Sequence, residues 1–166
     1  MFKSLAALIA ATTFAVPSLA TVDAGTPYLL QTLTEYGITI KYNPNDCGKG
    51  FAGRYSTNKV MTLCYKGQPT AFDHDTVRHE TMHVLQHCAA LRRGDTRGIV
   101  PLAINENERN QWVSSVLRSG QITEIKETYP VRAHQIELEA FAAAAHYSPS
   151  DLTKLVKSWC VKPIPK

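Results

Sequence analysis

One long helix constrains the fold of this chain more than any other feature. The spacing of apolar residues predicts that it runs from Asp73 to about Leu91. At about 100° per residue, one stripe of side chains faces the core, and His79 and His83 fall on the opposite side. The stripe contains Val77, Thr81, Val84, Cys88 and Leu91. We therefore expect a helix that packs one side against the core and lines a cleft with the other.

The cleft side carries the motif His79-Glu80-Thr81-Met82-His83, which has the pattern HExxH. Residues i and i+4 lie one above the other on a helix, so both imidazoles can reach one ion, as Zn–N bonds of about 2.1 Å require. A bound zinc ion would polarise a scissile carbonyl and lower the pKa of the attacking water. Glu80 lies beside that position and can take the proton of this water. The motif predicts a Zn²⁺ site with His79 and His83 as ligands and Glu80 as a catalytic residue.

The third ligand must come from another part of the chain. His87 continues the i+4 series, but it lies about 12 Å along the helix axis from His79. One ion cannot be bound by both, so we expect His87 to be a flanking or surface residue. The longer pattern HExxHxxGxxH also fails, because Gln86 and Ala89 replace its Gly and its third His.

Two glutamates of a second predicted helix, residues 132–146, compete for the role of third ligand. Glu137 shares its face with small or apolar residues that let a second helix approach closely: Ala133, Ala140, Phe141 and Ala144. Glu139 points the other way, to a face that we expect to be solvated: Gln135, Ala142 and His146. His₂Glu is a known catalytic zinc set, so we favour Glu137. Glu139 stays an alternative, as a ligand or as a residue that supports the ligands. Asp95 and Asp151 are less favoured candidates.

His134 lies one turn before Glu137 on nearly the same side of the helix. It is a candidate catalytic residue that could hydrogen-bond a developing oxyanion or orient Glu137. A purely structural role is the alternative. Tyr129, His146 and Tyr147 are further possible donors to the transition state.

The first 20 residues have the pattern of a secretory signal peptide. Lys3 precedes an apolar run from Leu5 to Val16, and small residues stand at the two positions before Thr21 that a signal peptidase recognises. The run is shorter than the roughly 20 residues that span a bilayer. We expect residues 1–20 to be removed, which leaves a single domain of residues 21–166.

Export also explains the cysteines, of which the chain has four. An even number in an oxidising compartment predicts two disulfides. We favour Cys47–Cys64, which flank a short strand-turn-strand segment, and therefore Cys88–Cys160, which would tie the central helix to the last one. A zinc site built from cysteines is less favoured, because no two of them have CxxC-like spacing.

The remaining pattern is α+β. Three short strands are predicted at 38–42, 51–56 and 60–65, and their succession suggests a small antiparallel sheet. Further helices are predicted at 27–36, 102–117, 122–129 and, after a capping box at Ser148, at 149–160. The net charge of +4 is spread along the chain without a basic cluster, which gives no case for a nucleic-acid partner.

At these residues the chain resembles a gluzincin-type zinc metallopeptidase, a class of zincins. The residues that carry the resemblance are the segment 78–83 and the segment Glu137-Leu138-Glu139-Ala140-Phe141, which is similar to the ExxA segment that supplies the gluzincin glutamate. The chain also resembles small exported HExxH proteins with paired cysteines. The resemblance implies a zincin-like fold whose edge strand, here 60–65 or a neighbour, binds substrate backbone. Many gluzincins have Asp four residues after the ligand Glu, and this Asp supports the metal ligands. This chain has Phe141 there, so such a partner is missing or is supplied by another residue.

The sequence thus predicts an exported zinc metallopeptidase, secreted or periplasmic, that acts as a monomer on a protein or peptide and has no membrane attachment once the signal is cleaved. Three alternatives stay open: a non-catalytic binding protein with a zincin-like fold, a zinc amidase that acts on cell-wall peptide, and a disulfide-stapled domain in which the HExxH match is accidental.

Overall fold

The protein is described here from a computed structural model, which covers residues 24–45, 47, 51–65, 69–96, 98–103 and 105–165. The predicted signal segment, residues 1–20, lies outside the described residues. Within them the fold is α+β, as expected, with six α-helices and one three-stranded sheet. None of the helices in these ranges is long and apolar enough to cross a bilayer.

The helices agree with the sequence pattern to within a few residues. They are α1 (Thr26–Glu35), α2 (Ala71–Arg92), α3 (Glu106–Val116), α4 (Ser119–Thr128), α5 (His134–His146) and α6 (Pro149–Trp159). The start of α2 is fixed by a capping box between Thr70 and Asp73. A second capping box, predicted at Ser148, opens α6 with Pro149 in its first turn. Local signals determine both starts, but the sequence analysis identified only the one at Ser148 and began α2 at Asp73, two residues late.

The sheet is mixed, which corrects the prediction of an antiparallel one. Its strands are β1 (Thr39–Tyr42), β2 (Gly53–Ser56) and β3 (Val60–Leu63), in the spatial order β1-β3-β2. Their directions alternate along the chain, but β3 lies between the other two and so pairs parallel with β1 and antiparallel with β2. Residue alternation identifies a strand but does not specify its neighbours, and this is why the sequence missed the order. The strand Val60–Leu63 is therefore central, and the edge strands are β1 and β2.

Helix α2 is the centre of the packing. From Val77 to Ala90 every residue except His79 is buried, on all sides of the helix. The sheet and α1 cover one side, while α5 and α6 cover another. Fully buried side chains around it include Leu29, Leu33, Met61, Leu63, Val84, Leu85 and Leu152. The predicted apolar stripe does face this core, but most of the helix's other residues are enclosed as well.

The two predicted disulfides are both present. Cys47 pairs with Cys64, which ties the connection between β1 and β2 to the end of β3. Cys88 pairs with Cys160, which ties α2 to the end of α6.

The second disulfide should contribute more to stability than the first. It joins residues 72 apart in sequence, against 17 for Cys47–Cys64. By the chain-entropy estimate these loops correspond to about 4 and about 3 kcal/mol. We therefore expect Cys88→Ala/Cys160→Ala to lower the free energy of unfolding in urea by more than Cys47→Ala/Cys64→Ala does. An equal or reversed order would show that loop length does not determine the contribution of these bonds.

Candidate metal centre

The centre is built where α2 and α5 pack against each other. Small residues make the approach possible, since Ala140 and Ala143 of α5 are fully buried in the contact region. A hydrogen bond also holds the two helices together, since Arg78 Nε donates to the carbonyl oxygen of Ala144 at 2.9 Å. This packing directs the HExxH face of α2 towards the first turns of α5, where Glu137 lies.

Three side chains converge on one point. His79 Nε2 lies 3.1 Å from His83 Nε2, and Glu137 Oε2 lies 3.3 Å from the first nitrogen and 3.7 Å from the second. Ligands about 2.0–2.1 Å from a tetrahedral ion are about 3.3 Å from one another. The three atoms therefore have the separations of three corners of such a tetrahedron. This group could hold a metal ion.

The surroundings of these atoms also fit a cation. Glu137 Oε2 is buried without a hydrogen bond of good geometry, and the two imidazole nitrogens are its near neighbours. Burial raises the pKa of Glu137, but the closeness of the carboxylate to the imidazoles of His79 and His83 outweighs burial and brings the pKa to about 2. The carboxylate is therefore ionised at neutral pH. An ionised oxygen enclosed between two imidazole nitrogens is the donor set that a divalent metal prefers.

Glu80 lies next to the group on the buried side of α2. Its Oε2 accepts a hydrogen bond of 2.7 Å from the backbone N–H of Tyr55, in strand β2. Burial raises the pKa of Glu80, while the neighbouring His79 and His83 act in the opposite direction. The carboxyl group is thus anchored by one oxygen in a largely dry environment, as a group that takes and returns a proton needs to be.

Strand β2 approaches Glu80 closely at Gly53. A Cβ on Gly53 would lie 2.4 Å from Thr76 Cγ2, 3.1 Å from Glu80 Cγ and 3.2 Å from Glu80 Oε1. Only glycine lets the strand come this near to α2. Because Val60–Leu63 is the central strand, β2 is the edge strand that lies beside the candidate site.

Two of the four predicted proton donors, Tyr129 and His134, lie close to each other and shortly before Glu137 in the chain. Burial, together with the charges of Glu137 and Glu80, raises the pKa of Tyr129 to about 12. Its phenol is therefore neutral at neutral pH, and both carboxylates are close enough for their charges to affect its pKa. His134 Nε2 lies 2.8 Å from the carbonyl oxygen of Tyr129 and donates to it, which ties the two residues together. His146 and Tyr147 instead pack with Trp112, at the far end of α5. The catalytic role of His134 stays a prediction.

The face of Glu139 was wrongly predicted to be solvated. Glu139 is 1% exposed, and it accepts hydrogen bonds from Gln86 Nε2 and from the backbone N–H groups of Leu102 and Ala103. The segment 98–103 covers this side of α5, which the periodicity of the helix alone could not show. Glu139 therefore does not join the three converging ligands.

His87 was wrongly predicted to be a flanking or surface residue. It is 1% exposed, and its Nδ1 lies 2.7 Å from the hydroxyl oxygen of Tyr55. Burial is the main reason why its pKa is lowered. The cause of the error is the same as for Glu139, because strand β2 covers a face of α2 that has no apolar signature.

Sequence reasoning also missed Gln86. The side chain is fully buried, and its Oε1 lies 2.8 Å from His83 Nδ1. The only available signal was its position three residues after His83, which places it on a neighbouring part of the helix surface.

Comparison with known proteins identifies no relative: no family model, no curated protein sequence and no solved structure matches this chain. A functional assignment therefore depends on the geometry of the site.

A single methyl group at Gly53 should disturb the site. We expect Gly53→Ala to lower the free energy of unfolding by about 1–3 kcal/mol, because the added carbon overlaps Thr76. Adding Thr76→Ser removes the obstructing methyl group and should recover part of the loss. Gly120→Ala is the matched control, since a Cβ there meets nothing within 4 Å. Urea unfolding measures all three variants, and a Gly53→Ala protein as stable as Gly120→Ala would contradict the close approach.

Metal binding should depend on all three converging ligands. We expect the purified protein to bind one Zn²⁺ or Co²⁺ per chain, and a metal concentration 100 times Kd to stabilise it by about 2.7 kcal/mol. His79→Ala and Glu137→Gln should each abolish the stabilisation, whereas His146→Ala, an exposed histidine of the same helix α5, should keep it. Metal analysis together with thermal unfolding checks this, and retention of the metal by Glu137→Gln would exclude Glu137 as a ligand.

Proposed function

We propose that this protein is an exported zinc metallopeptidase, in which His79, His83 and Glu137 hold the metal and Glu80 is the general base. The observation that carries the proposal is the convergence of three ligand atoms, 3.1, 3.3 and 3.7 Å apart, beside a second, buried carboxyl group, that of Glu80. Two imidazoles and one carboxylate form a set that catalytic zinc sites use, and this set leaves a coordination position open. A purely structural zinc site has four protein ligands and does not need Glu80.

Zinc in this site would supply a Lewis acid that polarises the substrate carbonyl and makes a nearby water more acidic. Glu80 then takes a proton from that water as it attacks the carbonyl carbon. The hydrogen bond from Tyr55 N–H holds one carboxylate oxygen and fixes the direction of the other. Glu80 returns the proton to the nitrogen of the leaving amine when the peptide bond breaks, so its protonation state is restored.

Tyr129 is the best-supported donor to the developing oxyanion. Its phenol stays protonated at neutral pH, since its pKa is raised to about 12, and the charges of both Glu137 and Glu80 act on it. His134 contributes by holding the Tyr129 backbone through the 2.8 Å hydrogen bond. In this arrangement Tyr129 donates directly, and His134 positions the segment that carries it.

A peptide is favoured as the substrate because an edge strand lies beside the general base. The carbonyl oxygen of Ala52 accepts a hydrogen bond from the backbone N–H of Cys64. In the antiparallel ladder, the backbone N–H and C=O groups of Arg54 and Ser56 therefore point towards β3, and those of Gly53 and Tyr55 point away from it. An extended peptide could pair with the backbone groups of this edge that Glu80 does not already bind, and its backbone would then lie next to Glu80. The same zinc chemistry would also cleave a cell-wall amide, so substrate class has to be tested directly.

Activity should depend on Glu80 but not on a comparable surface glutamate. We expect the zinc-loaded protein to cleave a fluorescently labelled unfolded protein such as casein, and 1,10-phenanthroline to abolish cleavage. Glu80→Gln keeps the size of the side chain but removes the base, and it should lower kcat/KM by about 10²–10⁴-fold. Glu124→Gln, on an exposed face of α4, should leave the rate unchanged.

Each result of this assay decides between the alternatives. Cleavage of peptidoglycan fragments but not of casein would support the amidase. Stoichiometric zinc without hydrolysis of either substrate would support a non-catalytic binding protein. Hydrolysis that survives Glu80→Gln at the wild-type rate would contradict the proposal.

A further inference from the structure

We propose that Gln86 and Glu139 form a positioning relay that holds His83 in the one tautomer able to bind a metal through Nε2. This inference rests on the proposed metal centre and concerns how the centre is held in place. Neither residue contacts the converging atoms, so both would act through His83. The relay consists of three hydrogen bonds, from His83 to Gln86 and from Gln86 to α5.

The orientation of the Gln86 amide follows from its neighbours. Its Nε2 lies 3.0 Å from the carbonyl oxygen of Ile136 and 3.1 Å from Glu139 Oε2. Both of these atoms are acceptors when the carboxylate is ionised, so the group between them must be the NH₂, which has two donors to offer. The other end of the amide, Oε1, therefore faces His83. An inverted amide would place one oxygen against two others.

This orientation determines the state of the imidazole. Gln86 Oε1 can only accept, and it lies 2.8 Å from His83 Nδ1, so the proton of the neutral ring must be on Nδ1. The lone pair is then on Nε2, the atom that lies among the converging ligands. Partners of this kind fix the tautomer and the ring orientation of metal-binding histidines.

Glu139 makes the relay rigid. Its carboxylate accepts from Leu102 N at 2.8 Å and from Ala103 N at 3.2 Å, in addition to Gln86. Gln86 and Glu139 are 0% and 1% exposed, so water does not compete for these bonds. A buried carboxylate that is bound by three N–H groups has little freedom to rotate, and neither has the amide attached to it. The relay thereby links the covering segment 98–103 to one ligand of the metal centre.

The test combines a disruption and a matched control. Gln86→Met has nearly the same length and removes both the acceptor and the donors. Thr153→Val is the control, because it removes one buried hydrogen bond, from Thr153 Oγ1 to Pro149 O, in helix α6. Urea unfolding establishes that each variant is folded.

Two measurements follow. The first is long-range ¹H–¹⁵N correlation NMR on the metal-free wild type, which reports the tautomer of His83 directly and needs no variant. The second is the Kd for Zn²⁺ from competition with a chelator. We expect the Nδ1–H tautomer in the wild type, and a Kd about 10–100 times higher in Gln86→Met. Thr153→Val should bind zinc like the wild type.

Failure of the relay can be distinguished from failure of the proposed function. If the wild type binds zinc and a folded Gln86→Met binds it equally well, the relay is wrong and the metal centre stands. An Nε2–H tautomer of His83 in the wild type would overturn the relay without any variant. If Thr153→Val weakened zinc binding as much as Gln86→Met does, general destabilisation would explain both effects and the relay would be wrong. A wild type that binds no zinc would overturn the metal centre, and the relay with it.

Discussion

Enclosure of helix α2 is the constraint on which the rest of the structure depends. An apolar helix could be buried this deeply by packing alone, but α2 carries polar and charged side chains on several faces. Each of them costs free energy in the interior unless it finds a partner. The partners come from different elements: Ala144 O of α5 for Arg78, Tyr55 N of β2 for Glu80, and Glu139 of α5 for Gln86. The packing of β2 and α5 on α2 is thus determined by polar contacts as well as by the apolar core.

Glu137 is an exception to this rule, and it lies in the candidate site. In the part of the chain that the structure describes, three buried side-chain atoms have no hydrogen-bond partner: His79 Nδ1, Glu137 Oε2 and Arg109 Nη2. Of these only Glu137 Oε2 belongs to the converging group, because His79 contributes its other nitrogen, Nε2, to that group. A cation among the three ligand atoms would satisfy the carboxylate directly. The polar contacts elsewhere on α2 hold the helix so that these atoms stay close to one another.

Sequence reasoning located the parts of this structure that have a local cause. The capping box at Ser148 and the alternating strands depend on neighbouring residues, so their positions could be predicted. The same is true of the ligands His79 and His83, whose spacing matches one helical turn, and Glu137 follows from a helix face made of small residues. Strand order and the burial of His87 and Glu139 depend on which element covers which face. That information is distributed over segments far apart in the chain, and no single periodicity contains it.

The two histidines are supported in different ways, and Phe141 explains why. Phe141 lies four residues after Glu137, and its ring packs against His79 with the centroids 4.5 Å apart. His79 is thus oriented by packing, whereas His83 is oriented by an amide. A carboxylate at position 141 would add a third negative charge beside Glu137 and Glu80, which alone balance a divalent cation. In this chain the additional carboxylate, Glu139, acts through the uncharged Gln86 and is bound by three N–H groups. Its charge is thereby kept farther from the three converging atoms than a charge on the residue that contacts His83 would be, while His83 is still held in place.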